Sequence, residues 1–238
     1  MKWFSGGTLR DCAMRIGILS ITILFVSALI FTSLVRAGLA PGDVQAIFEG
    51  RARWLYILSA VLAGVLLARA GAPIDRWGFE RGPTARHMLL ALVGVAVIQG
   101  FEHFMLPSLT GVVAAGPASS EFDGLAGDLP RFLILLGLSW TVAAIGEEIA
   151  FRVIMMRGVA ASFGGGATAS IVALILQAAV FGFVHFYNGG QLAVVRTAFN
   201  GVIYGALVLA SRGVVWPAVF AHGLHNTIGL SQDYWSGD

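Results

Sequence analysis

Little in this sequence can be cross-linked or solvated. One cysteine, Cys12, stands among 238 residues, which excludes an intrachain disulfide framework. Charged residues make up only 12%, against roughly 25% in a soluble domain. Hydrophobic residues make up 57%, and the mean hydropathy is +0.82. The apolar content is spread over the whole length, so no sizeable soluble domain fits. The net charge of +2 is not that of a nucleic-acid binder; in such a chain positive charge mostly reports topology. Internal repeats and low-complexity tracts are absent. So is the contiguous His-Glu-x-x-His of soluble zinc proteases, and no Ser-His or Asp-Asp pair is placed for serine or aspartyl chemistry. The glycines of Ser162-Phe163-Gly164-Gly165-Gly166 lack the Lys-Ser/Thr of a phosphate cradle and read as a connector.

What is present is a succession of apolar runs. A spanning helix needs about 20 mostly apolar residues, and the expected fold is all-α, a polytopic transmembrane bundle of about seven spans. They are expected near 16–35, 54–70, 87–106, 131–157, 168–187, 193–210 and 215–230. The first run is longer than the roughly 7–15 residues of a signal-peptide core, so an uncleaved first helix is expected. Pro217 suits the first turn of the last helix. Gly201-Val-Ile-Tyr-Gly205 lets helices approach closely, within the chain or between two copies. Lys2, Arg10, Arg15, Arg69, Arg76, Arg81, Arg86, Arg157 and Arg212 fall on one side of such a bundle, and Arg36, Arg51, Arg53 and Arg131 on the other. This bias predicts a cytoplasmic N-terminus and, with seven spans, a C-terminus on the other side; the membrane is expected to be the plasma (inner) membrane.

Polar residues interrupt the apolar runs at three places in the C-terminal half. In AIGEEIAFR, Glu148 and Arg152 are i and i+4 and can pair on one face. Glu147 points about 100° away, without that partner. An unpaired carboxylate among apolar neighbours is a stronger base than a solvated one, which suits a general base. In AAVFGFVHFYNGG, His185 follows Phe181 by four residues. In VVWPAVFAHGLHNTIG, His222 and Asn226 share a face, and His225 lies to its side. Asn226 can donate to an oxyanion or orient His222. Ionisable residues within a membrane mark functional sites. Glutamate with two histidines can activate a water, directly or through zinc.

Glu147-Glu148-xxx-Arg152, Phe181-xxx-His185 and His222-xxx-Asn226, in that order, resemble the three motifs of the CAAX protease and bacteriocin-processing (CPBP/Abi) family. That family includes the type II CAAX prenyl endopeptidases and the bacterial Abi proteins. The resemblance divides the chain into N-terminal helices without motifs (1–129) and a protease-like core (130–230). It implies an intramembrane endopeptidase, a hydrolase of a hydrophobic peptide or membrane-protein substrate in the bilayer. Glu147 would activate the water with help from His185, Glu148 and Arg152 would hold the site's shape, and His222 and Asn226 would stabilise the oxyanion. The choice between Zn2+ chemistry, with His185, His222 and Glu147 as ligands, and a metal-free glutamate mechanism stays open. His225 is a bystander in this pattern.

The depths of these residues conflict in a straight bundle. Glu147 lies about 15 Å from the end of its helix, His185 roughly 25 Å along the next, and His222 about 8–10 Å into the last. A tilt, or an inward dip of the Gly164–Gly166 loop, is therefore expected. Two other functions compete with the protease. One is a proton- or ion-coupled transporter, for which an inverted repeat would be expected. The other is a non-catalytic scaffold of the same family.

Overall fold

The computed structural model describes residues 78–79, 82–113, 124–163, 165–186 and 189–236. Among the described residues the chain is all helical, without strands. The described residues form five long helices: α1 (Ala85–Leu109), α2 (Leu129–Ala160), α3 (Gly166–Val184), α4 (Gly190–Ala210) and α5 (Trp216–Trp235). The first four are long and apolar enough to cross a membrane. The fifth covers the span expected near 215–230 but is less apolar, since it carries His222, His225, Asn226, Gln232 and Asp233. The runs near 16–35 and 54–70, Cys12 and most of the topogenic arginines lie outside the described residues.

Local sequence sets the helix ends. Thr84 caps α1: its hydroxyl accepts from His87 N at 3.4 Å, and His87 Nδ1 accepts from Thr84 N at 3.2 Å. This reciprocal pair satisfies donors that a helix start leaves bare. Asp128 caps α2, accepting from Arg131 N at 3.1 Å, with Pro130 in the first turn. Pro217 occupies the first turn of α5, where its missing N–H removes no helical bond.

The surface is inverted relative to a soluble protein. Leu89, Val93, Ile134, Ile171, Ile175 and Phe183 are all more than half exposed. Side chains of this kind face acyl chains without penalty. The interior holds a mixture: Ile98, Phe181, Tyr204 and Val208 pack in one cluster with Phe151 and Met155, while Glu148, Arg152, Gln177, Asn200 and His222 are buried beside them. α1 enters the same cluster through Ala91, Val95 and Ile98.

Small residues set the helix spacing. A Cβ on Gly201 would stand 3.0 Å from the Cα of Ala178, and one on Gly205 would collide with Leu174 and Gln177. The Gly201–Gly205 stripe is thus filled by α3 of the same chain, antiparallel to α4. α2 and α4 end at the same face of the bundle, where Arg157 Nη2 donates to Gly213 O. Gly78 joins them there, its carbonyl accepting from Val215 N at 2.9 Å.

Candidate active site

The helix bearing the two glutamates is distorted. α2 starts as a regular α-helix at Leu129–Leu138, then widens into π-helical turns over Ser139–Glu147 and Ile149–Met156, and regains α geometry at Arg157. Wide turns of this type are rare and concentrate at functional sites. The irregularity therefore falls on the carboxylate helix itself. Gly164, part of the loop expected to dip, lies outside the described residues.

Glu148 and Arg152 form the i,i+4 pair, with Arg152 Nη1 2.9 Å from Glu148 Oε1 and both side chains fully buried. Arg152 is further held by aromatic faces. Its guanidinium lies 4.4 Å from the Phe181 ring centre, 5.2 Å from Tyr204 and 5.9 Å from Phe151. Such faces favour a desolvated cation. The guanidinium also approaches Gly201 O at 3.5 Å, and Gln177 Nε2 donates to that carbonyl at 2.9 Å. The close approach of α3 and α4 at Gly201 and the arginine site are therefore one construction.

Glu148 has a second partner that the spacing did not show. His222 Nδ1 lies 2.9 Å from the same Oε1. A carboxylate paired with arginine is ionised and can only accept, so His222 donates from Nδ1–H. The orienting group for His222 is thus Glu148. Asn226, the alternative expected from sequence, is half-buried one turn further along α5, and its side chain makes no hydrogen bond among the described residues. Stacking on Tyr204 completes the placement of the imidazole, with ring centres 4.8 Å apart and planes 15° apart.

The free edge of His222 faces Glu147. Nε2 lies 3.9 Å from Glu147 Oε2, too far for a direct hydrogen bond and of the kind a water bridges. Glu147 Oε2 is buried and has no hydrogen-bond partner among the described residues. The two adjacent glutamates therefore have separate environments: Glu148 is committed to Arg152 and His222, while an oxygen of Glu147 is unspent.

His185 sits at the C-terminal end of α3, where its backbone N–H donates to Gly182 O at 3.0 Å. Its Nδ1 lies 2.7 Å from Phe181 O. A carbonyl only accepts, so Nδ1 carries the proton. Phe181 packs edge-on against both imidazoles, its ring centre 4.8 Å from His185 and 6.1 Å from His222. The Phe-x-x-x-His spacing thus supplies a histidine, the carbonyl that fixes its tautomer, and the ring between the two imidazoles.

The expected ligand set of His185, His222 and Glu147 was tested against this geometry. Among the described residues, no three His, Cys, Asp or Glu side chains are placed to hold a metal ion.

Sequence reasoning missed a second polar group. Glu102, in the π-helical turn Phe101–Met105 of α1, receives His225 Nε2 at 3.1 Å to both carboxylate oxygens and Asn200 Nδ2 at 3.4 Å. His225 stands apart from the Glu147 group, yet it is no bystander structurally: it fastens α1 to α5. Its signal was Glu102 itself, a carboxylate inside an apolar span, which by the rule applied to Glu147 asks for a partner. Trp140 was also missed. Its indole N–H donates to Thr227 at 3.1 Å, and its ring lies where a Cβ on Gly223 would be, at 2.6 Å.

No curated protein and no solved structure matches the chain. Residues 129–228, which hold all six site residues expected from sequence, match the family model described as type II CAAX prenyl endopeptidase Rce1-like.

Proposed function

We propose that the chain is an intramembrane endopeptidase that hydrolyses a peptide bond near the C-terminus of a hydrophobic, membrane-associated substrate, such as a prenylated CAAX peptide. One observation carries this reading. Glu147 Oε2, buried and without a partner, faces His222 Nε2 across 3.9 Å, while Glu148 grips the opposite ring nitrogen. The family match over residues 129–228 supports it. A water between Glu147 and His222 is positioned by both.

The chemistry follows from the proton positions. Glu147 takes a proton from the water, and the hydroxide oxygen bonds to the scissile carbonyl carbon. His185, as the family motif implies, assists this step. The carbonyl electron pair moves to oxygen. With Nδ1–H already given to Glu148, His222 donates to that oxyanion from Nε2 as an imidazolium, whose charge Glu148 balances. Asn226 supplies a second donor from its amide. The proton on Glu147 then passes to the amide nitrogen as the C–N bond breaks. Preorganised donors of this kind act strongly where water is excluded. Arg152 touches no reacting atom; it holds Glu148 in place, and Glu148 orients the His222 ring through Nδ1–H. The lysine and arginine bias supports a cytoplasmic N-terminus, in what we take to be the plasma membrane.

The test is cleavage of a fluorescence-quenched membrane-peptide library by purified protein in detergent. Wild type is run beside Glu147→Ala and His185→Ala, with and without a zinc chelator. Loss of a general base lowers turnover by roughly 10²–10⁴-fold, and both variants are expected to fall in that range. Cleavage that survives both substitutions would remove the site assignment. The chelator arm separates a metal-bound water from one activated by glutamate alone.

A further inference from the structure

The two groups assigned to the oxyanion are held in different ways. The His222 ring is fixed directly, by Glu148 at Nδ1 and by the Tyr204 face. The Asn226 side chain makes no hydrogen bond among the described residues, so its place is set by the backbone of α5. Its two neighbours in sequence, however, are each clamped by another helix. His225 Nε2 lies 3.1 Å from both carboxylate oxygens of Glu102 on α1. Thr227 Oγ1 accepts from the indole N–H of Trp140 on α2 at 3.1 Å. Successive residues of a helix turn by about 100°. His225 and Thr227 therefore point to nearly opposite sides of α5, with Asn226 between them.

Both clamps differ from ordinary apolar packing. Glu102 is a carboxylate inside an apolar span, with its side chain only 20% exposed, where a charge is expensive. It stands in the π-helical turn Phe101–Met105, a wide turn of the type that also carries Glu147 on α2. The same carboxylate receives Asn200 Nδ2 at 3.4 Å. Asn200 lies one turn before Tyr204 on α4, so Glu102 also braces the helix whose ring backs His222. Trp140 occupies the space of an absent Gly223 side chain, its ring 2.6 Å from where a Cβ would stand. That close approach brings the indole N–H to Thr227. Glu102 lies outside the matched segment 129–228, so α1 reaches the site from beyond the family core.

We propose that Glu102 and Trp140 are positioning residues: by holding His225 and Thr227 from opposite sides, they fix the rotation of α5 that aims the Asn226 amide at the developing oxyanion. The inference rests on the endopeptidase reading and deepens it. Both residues act through α5 rather than on a reacting atom. A directional bond fixes a helix's rotation, whereas an apolar contact lets it turn, which gives a reason for a charge at position 102. A donor displaced by about 1 Å can cost about 10²-fold in rate, so small rotations of α5 matter.

The experiment compares Glu102→Leu, Glu102→Gln and Trp140→Phe in full-length protein in detergent, with the quenched peptide that wild type cleaves, well below each unfolding midpoint. Glu102→Leu is expected to lower kcat by roughly 10- to 100-fold with KM little changed. Glu102→Gln, whose amide oxygen still accepts from His225, should recover most of the rate. Trp140→Phe keeps the ring against Gly223 and removes only the N–H, so it carries the same test if Glu102→Leu does not fold. On an Asn226→Ala background either substitution should add almost nothing, because the donor it places is gone. An equal loss on both backgrounds, or an unchanged kcat, would overturn the proposal. A second readout needs no cleavage. Spin labels on Ile171→Cys and Gln232→Cys, both exposed positions, in a Cys12→Ser background report the spread of α3–α5 distances by electron resonance. Glu102→Leu should broaden that distribution, and equal widths would overturn the clamp whatever the kinetics. Broadening in a protein that cleaves nothing would uphold the clamp and count against the endopeptidase instead.

Discussion

Removing Glu148 tests how the buried charges hold the site together. The carboxylate is fully buried and serves two donors from one oxygen, Arg152 at 2.9 Å and His222 at 2.9 Å. Glu148→Ala strands the arginine in an apolar interior and frees the imidazole to rotate. Breaking a buried ion pair from one side costs about 3–5 kcal/mol, and at about 2–4 °C per kcal/mol for a protein of this size the unfolding midpoint should fall by roughly 6–20 °C. The informative comparison is Glu148→Met with Arg152→Met. Replacing both charges by apolar groups is often nearly neutral, so the double variant should recover most of the lost stability. It should not recover cleavage, because His222 then lacks the carboxylate that orients its ring. The assays are thermal unfolding in detergent, followed by near-UV circular dichroism, and cleavage of the quenched peptide. If the double variant is as unstable as Glu148→Ala, the penalty comes from lost packing rather than a stranded charge. If it cleaves normally, His222 does not depend on Glu148.

Asn226→Ala should lower kcat by about 10²–10³-fold, the usual loss on removing one oxyanion donor, with KM little changed; single-turnover kinetics separate the two. Glu102→Ala should lower stability by about 1.5–3 kcal/mol, and adding His225→Ala should cost little more, since both act through one contact; a double-mutant cycle by thermal unfolding measures that coupling. Gly205→Leu should destabilise strongly, because its side chain would enter the space of Leu174 and Gln177, whereas Gly137→Ala on α2, where nothing lies within 4 Å, should leave the unfolding midpoint almost unchanged.

How much of this was legible in sequence differs from residue to residue. Low charge and long apolar runs specify membrane helices wherever they occur, because backbone polar groups in a bilayer must be satisfied within the helix. Periodicity was enough to pair Glu148 with Arg152, since an i,i+4 contact is local. Pro217 placed a helix start for the same reason. The contact of Glu148 with His222 joins residues on two helices, and no local rule yields it. Nor could spacing reveal that Glu102 would meet His225, although a lone carboxylate in an apolar span announced the need for a partner. Regular geometry also misjudged α2: π-helical turns over Ser139–Glu147 and Ile149–Met156 depend on packing that a 3.6-residue period does not encode.

The sequence by itself pointed to apolar membrane-spanning helices, to the candidate site residues, and to the family its last 100 or so residues resemble, because hydrophobic length and motif order are properties of the chain. Tertiary structure alone decided how the polar residues divide their work. Glu147 and Glu148 are neighbours of the same type, separated in role only by what the other helices bring to them. Arg152 and His222 converge on Glu148, while an oxygen of Glu147 is left facing His222 Nε2 without a bond. That division arises because α3 and α4 pack closely at Gly201 and Gly205, bringing Phe181 and Tyr204 over the arginine and Tyr204 against the histidine.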